Sequence, residues 1–117
     1  MLPRYNRLAK KKEIDLVFKK GRSSYNKSLG VKCLINNNLT YNRFAVVVSN
    51  KVSKKAVIRN KIKRRIREII KKELIKMVVG RDLIIITLPV IAEKNFTEIQ
   101  QELCGIFARL SLYKNEK

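Results

Sequence analysis

The sequence predicts an α/β (α+β) two-layer sandwich built as a single domain over residues 1–117, in the order α-β-β-(β)-α-β-α. Three observations carry this. Between Ser28 and Asn36 the residues Leu29, Val31, Cys33 and Ile35 alternate with Ser28, Gly30, Lys32 and Leu34, the period-2 pattern of a strand. Asp82–Leu88 (DLIIITL) is a short, continuous apolar run, suited to a buried strand. Two longer segments, Lys54–Met77 and the stretch after Asn95, repeat their apolar residues at helical spacing. A chain of 117 residues, 45% of them hydrophobic, supports one core that needs no staples.

The elements follow in order. Met1–Ala9 shows no periodicity and reads as an arm. From Lys11 to Lys20, Ile14, Val17 and Phe18 share one face of a short helix, and Gly21 stops it. There is room for a short strand around Ser23–Tyr25 before the alternating strand, which Asn36-Asn37-Asn38 ends as turn material. Arg43–Ser49, with Phe44, Val46, Val47 and Val48, is a β-branched strand expected at the centre of the sheet. The helix of Lys54–Met77 carries a stripe of Ile58, Ile62, Ile66, Ile69 and Ile70, extended loosely by Leu74 and Met77, and Gly80 ends the segment. Pro89 closes the apolar strand. Asn95 caps the last helix with Glu98 at the third position, ahead of a face of Ile99, Leu103, Ile106, Phe107 and Leu110.

Charge narrows the function. Lys and Arg number 28 against 9 Asp and Glu, a formal net charge of +19. A compact body with that surplus repels itself, so the charge serves an anion, either nucleic acid or an anionic membrane. There is no histidine, which removes the commonest general base and metal ligand. No Asp/Glu pair is clustered to hold two metals, as a protein-only nuclease would need. Cys33 and Cys104 are far apart, form no CxxC motif and read as reduced thiols. No apolar run approaches the roughly 20 residues that cross a bilayer, and the start MLPRYNRLAKKKE lacks the apolar core of a secretory signal. A cytoplasmic location is expected, with no small-molecule substrate.

The charge peaks between Lys51 and Lys76, where 12 cations stand against Glu68 and Glu73. On a helical wheel Asn60, Arg64, Arg67 and Lys71 lie opposite the isoleucine stripe, with Lys63 on the flank. A solvated face normally mixes signs in i,i+4 pairs. Here cations neighbour cations, and guanidinium groups bind phosphate bidentately. A membrane-surface helix would need the same stripe to face lipid, whereas the stripe is Ile-rich, lacks Trp and Phe, and is required to cover the sheet. Structured RNA is the expected partner. DNA is disfavoured because no turn sets a recognition helix after a partner helix.

Ala56, then Arg59-Asn60-Lys61, Ile62, Lys63-Arg64 and, three residues on, Arg67 resemble the signature of the bacterial ribonuclease P protein component. Lys61 stands where that family most often has Arg, keeping the charge without the forked geometry. Asn6-Arg7-Leu8, Val17-Phe18-Lys19-Lys20-Gly21, Phe44–Ser49 with Lys51, and Phe107-Ala108-Arg109-Leu110 resemble further family segments, so the likeness spans nearly the whole chain in order. It implies a left-handed crossover, whereas the general rule for parallel connections is right-handed. It implies a non-catalytic protein subunit of a ribozyme that removes the 5′ leader of precursor tRNA, with Mg²⁺ used mainly by the RNA. It assigns Arg59, Asn60, Lys61, Lys63, Arg64 and Arg67 to the catalytic RNA, and the outward row adds Lys71. It assigns Ile14, Phe18 and Lys32 to a leader-binding cleft between the first helix and the sheet, with Lys51 near its rim. Ile14 and Lys32 stand where the family often has aromatics, and Asn50 where a second Lys is frequent. Packing in the core is the competing role for Ile14 and Phe18. Among other function classes, a ribosomal-type RNA-binding protein accounts for the charge but not for the ordered family segments.

Overall fold

The structure, a computed structural model, describes residues 2–114, so Met1 of the arm and the last three residues lie outside it. Helix α1 (Lys11–Lys20) is followed by β1 (Arg22–Tyr25), β2 (Leu29–Ile35), β3 (Arg43–Val47), α2 (Ala56–Glu73), β4 (Arg81–Thr87) and α3 (Phe96–Arg109). Short 3-10 turns form at Arg4–Asn6, Leu74–Lys76 and Pro89–Glu93. The further short strand at residues 22–25 is therefore real, and the order is that expected.

The four strands lie in the order β1-β2-β4-β3. β1, β2 and β4 are antiparallel neighbours, and β3 runs parallel to β4. The expectation that the Arg43–Ser49 strand is central is thus wrong: β3 is an edge strand, and β4 lies between β2 and β3. β4 is the segment built for that place, because Leu83, Ile84 and Ile85 are fully buried and point alternately to both faces. β3 exposes Val47. Its outer edge is partly closed by the arm, where the Leu8 N–H donates to the Phe44 carbonyl at 2.8 Å. Asn6 secures that arm by donating to the Asn42 carbonyl at 2.6 Å, and Asn42 in turn donates to the Val78 carbonyl at 2.7 Å.

One sheet face packs Leu29, Val31, Cys33, Phe44, Leu83 and Ile85 against Ile62, Ile66, Ile69 and Ile70 of α2 and the expected face of α3. Burying each such aliphatic side chain contributes about 1.5–3 kcal/mol. Ile58 alone of the α2 stripe remains at the rim. The regular helix stops at Glu73 and tightens into the 3-10 turn, which still brings Met77 into the core. α1 sits alone on the opposite face, where Val17 packs with Leu8 and Ile84, backed by Leu34, Ala45 and Ile86.

The hand of the β3-α2-β4 connection follows from chirality. Phe44 directs its side chain into the α2/α3 core and its carbonyl toward the arm, away from β4. Viewed from the helical side with β3 pointing up, an L-residue so placed has β4 on its left. The chain therefore passes in front of the sheet as α2 and returns on the left, a left-handed crossover. Leu29 gives the same answer: its side chain enters the same core while its carbonyl accepts from Asn26 of the β1–β2 turn.

Two glycines are required. A Cβ on Gly30 would lie 2.1 Å from the Tyr25 ring, which covers β2 at that point. Gly80 takes φ +77°, the left-handed conformation that glycine adopts without strain, as the chain enters β4. Asn95 and Glu98 form the expected capping box, with reciprocal bonds of 2.9 and 3.0 Å.

Candidate RNA-binding surfaces

The first surface is the solvent side of α2. Burial of its isoleucines fixes the rotation of the helix, and the opposite side then faces outward by geometry alone. Asn60, Lys61, Arg64 and Lys71 are exposed, while Arg59, Lys63 and Arg67 are half-buried, their stems lying along the helix flank. Arg59 is held by donation from Nη1 to the Ser53 carbonyl at 3.0 Å. All seven expected residues therefore lie on one continuous element. Among the described residues, no cation of α2 lies within ion-pairing distance of a carboxylate; the ion pairs present involve Arg43, Lys76 and Lys94. The first turn of α2 carries no acid, and its Lys55 N-cap makes no side-chain bond. Basic side chains thus stand at the positive end of the helix dipole, an unfavourable arrangement without an anion.

The second surface lies on the other face of the sheet, along α1. Here the structure separates the two residues whose roles were open. Ile14 is half-buried and packs against the Leu8, Val17 and Ile84 cluster. Phe18 is 43% exposed and belongs to neither core cluster. Val17 fills the core instead. The Lys32 ammonium, on β2, lies 5.8 Å from the Phe18 ring centroid, so a cation and an aromatic face share one spot. Lys51 is exposed in the turn between β3 and α2, beside Val52, which is anchored in the main core.

α1 is fixed to the sheet by a charged network that the sequence did not reveal. Arg43 donates through Nε and Nη2 to the two oxygens of buried Asp82, both at 2.8 Å, and its Nη1 lies 2.7 Å from Glu13 of α1. The Asp82 hydrogen bond, opposed by burial and aided by Glu13, raises the Arg43 pKa and keeps the guanidinium charged. Asn36 adds a donor to Asp82 at 3.2 Å. Glu73 at the end of α2 is likewise buried. Burial alone would raise its pKa, but hydrogen bonds from Tyr113 at 2.7 Å and Cys104 at 3.4 Å, with the nearby Lys76 ammonium, hold it below the usual value. No short-range pattern marks these groups, because the bonds from Arg43, Asn36, Tyr113 and Cys104 span 30 to 46 residues. Both cysteines are free; burial, opposed by Arg81 and Arg22, pushes the Cys33 thiol up to about 11.

Phe96 was also missed as a surface residue. It opens α3, is half-buried, and lines a shallow notch with Lys61, Arg64, Arg65 and Glu68 of α2. An aromatic residue right after an N-cap reads in sequence only as packing.

Among the described residues no helix is long and apolar enough to cross a membrane. Among the described residues no group of three His, Cys, Asp or Glu is placed to hold a metal.

Comparison with known proteins agrees with this architecture. The family model for ribonuclease P matches residues 2–111. The ribonuclease P protein component of Pseudanabaena sp. (strain PCC 6903) is 36% identical over 109 residues, covering 93% of this chain and 94% of that protein. The solved structure of the Staphylococcus aureus RNase P protein superposes with a TM-score of 0.86 at 28% identity, covering 93% and 98% of the two chains. That of the RNase P protein from Thermotoga maritima, in complex with 1-(4-fluorophenyl)-2-thiourea, gives 0.81 at 31% identity, with 88% and 98% covered. On the matched length, the shared fold and the basic α2 signature, the chain belongs to the ribonuclease P protein family.

Proposed function

We propose that the chain acts as the protein subunit of a cytoplasmic ribonuclease P, holding the catalytic RNA on the outer side of α2 and the 5′ leader of precursor tRNA along α1. The observation that carries this is the unpaired charge of α2: an outward row of cations on one helix, none of them in an ion pair among the described residues. RNA phosphates supply the missing anions at a spacing that several forked guanidinium groups can grip at once. The leader assignment is supported by exposed Phe18 beside Lys32, a ring on which a base stacks and a cation that meets its phosphate. Half-buried Ile14 forms the floor of that site rather than a stacking surface.

In this reading the protein performs no bond chemistry. Its cations lower the repulsion between the catalytic RNA and the precursor, and Mg²⁺-dependent hydrolysis of the leader belongs to the RNA. Reconstitution tests the proposal: the protein is mixed with a bacterial ribonuclease P RNA and a 5′-extended tRNA at low Mg²⁺. Enhanced cleavage, and tighter binding of the precursor than of mature tRNA, are expected. Cleavage and binding both unchanged by the protein would refute the assignment.

A further inference from the structure

The notch at Phe96 is not explained by phosphate binding alone. Lys61, Arg65, Glu68 and Lys72 are spaced by four, three and four residues, so they form one ridge of α2, displaced from the outward row. This ridge faces the start of α3. Arg65 donates to the Lys94 carbonyl at 3.4 Å, and the Lys72 ammonium lies 5.2 Å from the centroid of the Phe96 ring. Phe96 rests on the main core from below while one part of it opens to the notch, a space of about 330 Å³ lined by Lys61, Arg64, Arg65, Glu68 and Phe96. Pockets of roughly 300–1,000 Å³ accept small ligands. This one is shallow and has an aromatic floor with a cationic rim.

Glu68 is the unexpected member. It is exposed, surrounded by cations, and among the described residues forms neither an ion pair nor a side-chain hydrogen bond. In a surface selected only to attract phosphate, a carboxylate lowers the attraction. It does have a use where a base edge must be read, since carboxylates accept from exocyclic amino groups. An aromatic face, a carboxylate acceptor and guanidinium groups within one notch match the three parts of a nucleotide: ring, amino-bearing edge and phosphate.

We propose that the Phe96 notch is a nucleobase-binding subsite, in which an unpaired, amino-bearing base of the docked RNA stacks on Phe96 and donates to Glu68 while its phosphate meets Arg64 and Lys61. The inference rests on the docking of the catalytic RNA on α2 proposed above. It extends that surface from backbone attraction to the recognition of one unpaired nucleotide. An acidic polypeptide would satisfy the rim but not the stacking floor.

The chain contains no tryptophan, so Phe96→Trp introduces a single fluorophore at the notch. In the full-length protein this variant is expected to bind a bacterial ribonuclease P RNA within about twofold of the parent and to be quenched on binding, because a larger ring stacks at least as well. Phe96→Leu, which keeps apolar packing, is expected to weaken that binding roughly 5- to 100-fold with little change in melting temperature. With single-stranded pentanucleotides differing in the central base, quenching of the Trp variant should be stronger for guanosine than for uridine, and Glu68→Ala should abolish the difference. Arg64→Ala separates the two levels of the argument. If Arg64→Ala leaves RNA affinity unchanged, the docking surface itself is misassigned. If Arg64→Ala weakens binding while Phe96→Leu does not, or if polyglutamate quenches the Trp as strongly as RNA does, the nucleobase subsite is refuted and the docking surface stands. Equal quenching by the two pentanucleotides refutes the role of Glu68.

Discussion

At the scale of single residues, the decisive feature is the contrast between cations that are paired and cations that are not. Arg43 is enclosed by Asp82 and Glu13, whereas the cations of α2 have no carboxylate partner among the described residues. The first arrangement maintains the fold, and the second waits for an anion from outside. Glu73 shows the same economy in reverse, as a buried carboxylate whose Oε1 accepts from both Tyr113 and Cys104 while Lys76 stands 3.6 Å from Oε2. Its pKa is lowered in the folded state, so its contribution is fully present above the ordinary carboxylate pKa and is lost as pH falls through the depressed folded value. Glu73→Gln should therefore destabilise the protein near neutral pH by about 1–3 kcal/mol, the cost of disturbing a buried, hydrogen-bonded charged acceptor. Urea unfolding followed from neutral pH to about pH 3 should show the gap between parent and variant closing at the acid end. A gap that does not change with pH would mean the Glu73 charge contributes nothing.

At the scale of elements, α1 places a core residue and the proposed leader contact at neighbouring positions. Val17 is fully buried against the sheet, while its neighbour Phe18 turns outward beside Lys32. Val17→Ala should lower stability by about 1–3 kcal/mol through lost burial and a residual cavity. Phe18→Ala should change stability by less than about 1 kcal/mol yet weaken binding of a 5′-extended tRNA fivefold or more, leaving mature tRNA unaffected. Thermal melts and precursor binding on the two variants check this; a large loss of stability in Phe18→Ala with unchanged precursor affinity would return Phe18 to the core. The sequence could place both residues on one helical face but could not divide them, since positions 17 and 18 differ by only 100° and the sheet sees the narrower side. Much else at this scale was legible locally. The Asn95–Glu98 box, the alternation of β2 and the unbroken apolar run of β4 all formed as read. The place of β3 was not, because a β-branched strand has the same composition at an edge as in the middle. Only the return of the chain through α2 into β4 decides which it is.

At the scale of the whole molecule, the sheet separates the two proposed RNA surfaces, with α2 on one face and α1 on the other. The left-handed crossover places α2 on the same face of the sheet as α3 and opposite α1, and its polar side is uncovered. No local pattern encodes that hand, and it reached the sequence reading only through family likeness. The two surfaces share one consequence. A body of 38 × 34 × 24 Å carrying a net charge of +19 is compressed against its own repulsion until an anion binds. Anions that occupy the α2 surface should therefore stabilise the free protein beyond simple screening. Sulfate is expected to raise the melting temperature by several degrees, since about 1 kcal/mol corresponds to roughly 4 °C in a domain of this size. Sodium chloride at equal ionic strength should raise it less, because chloride screens but does not accept forked hydrogen bonds. Calorimetric melts of the parent and of an Arg64→Ala, Arg67→Ala double variant distinguish binding from screening. The variant should keep the chloride response and lose much of the extra sulfate response. Equal shifts in sulfate and chloride for the parent would mean that the row on α2 acts only as diffuse charge, with no geometry of its own for phosphate.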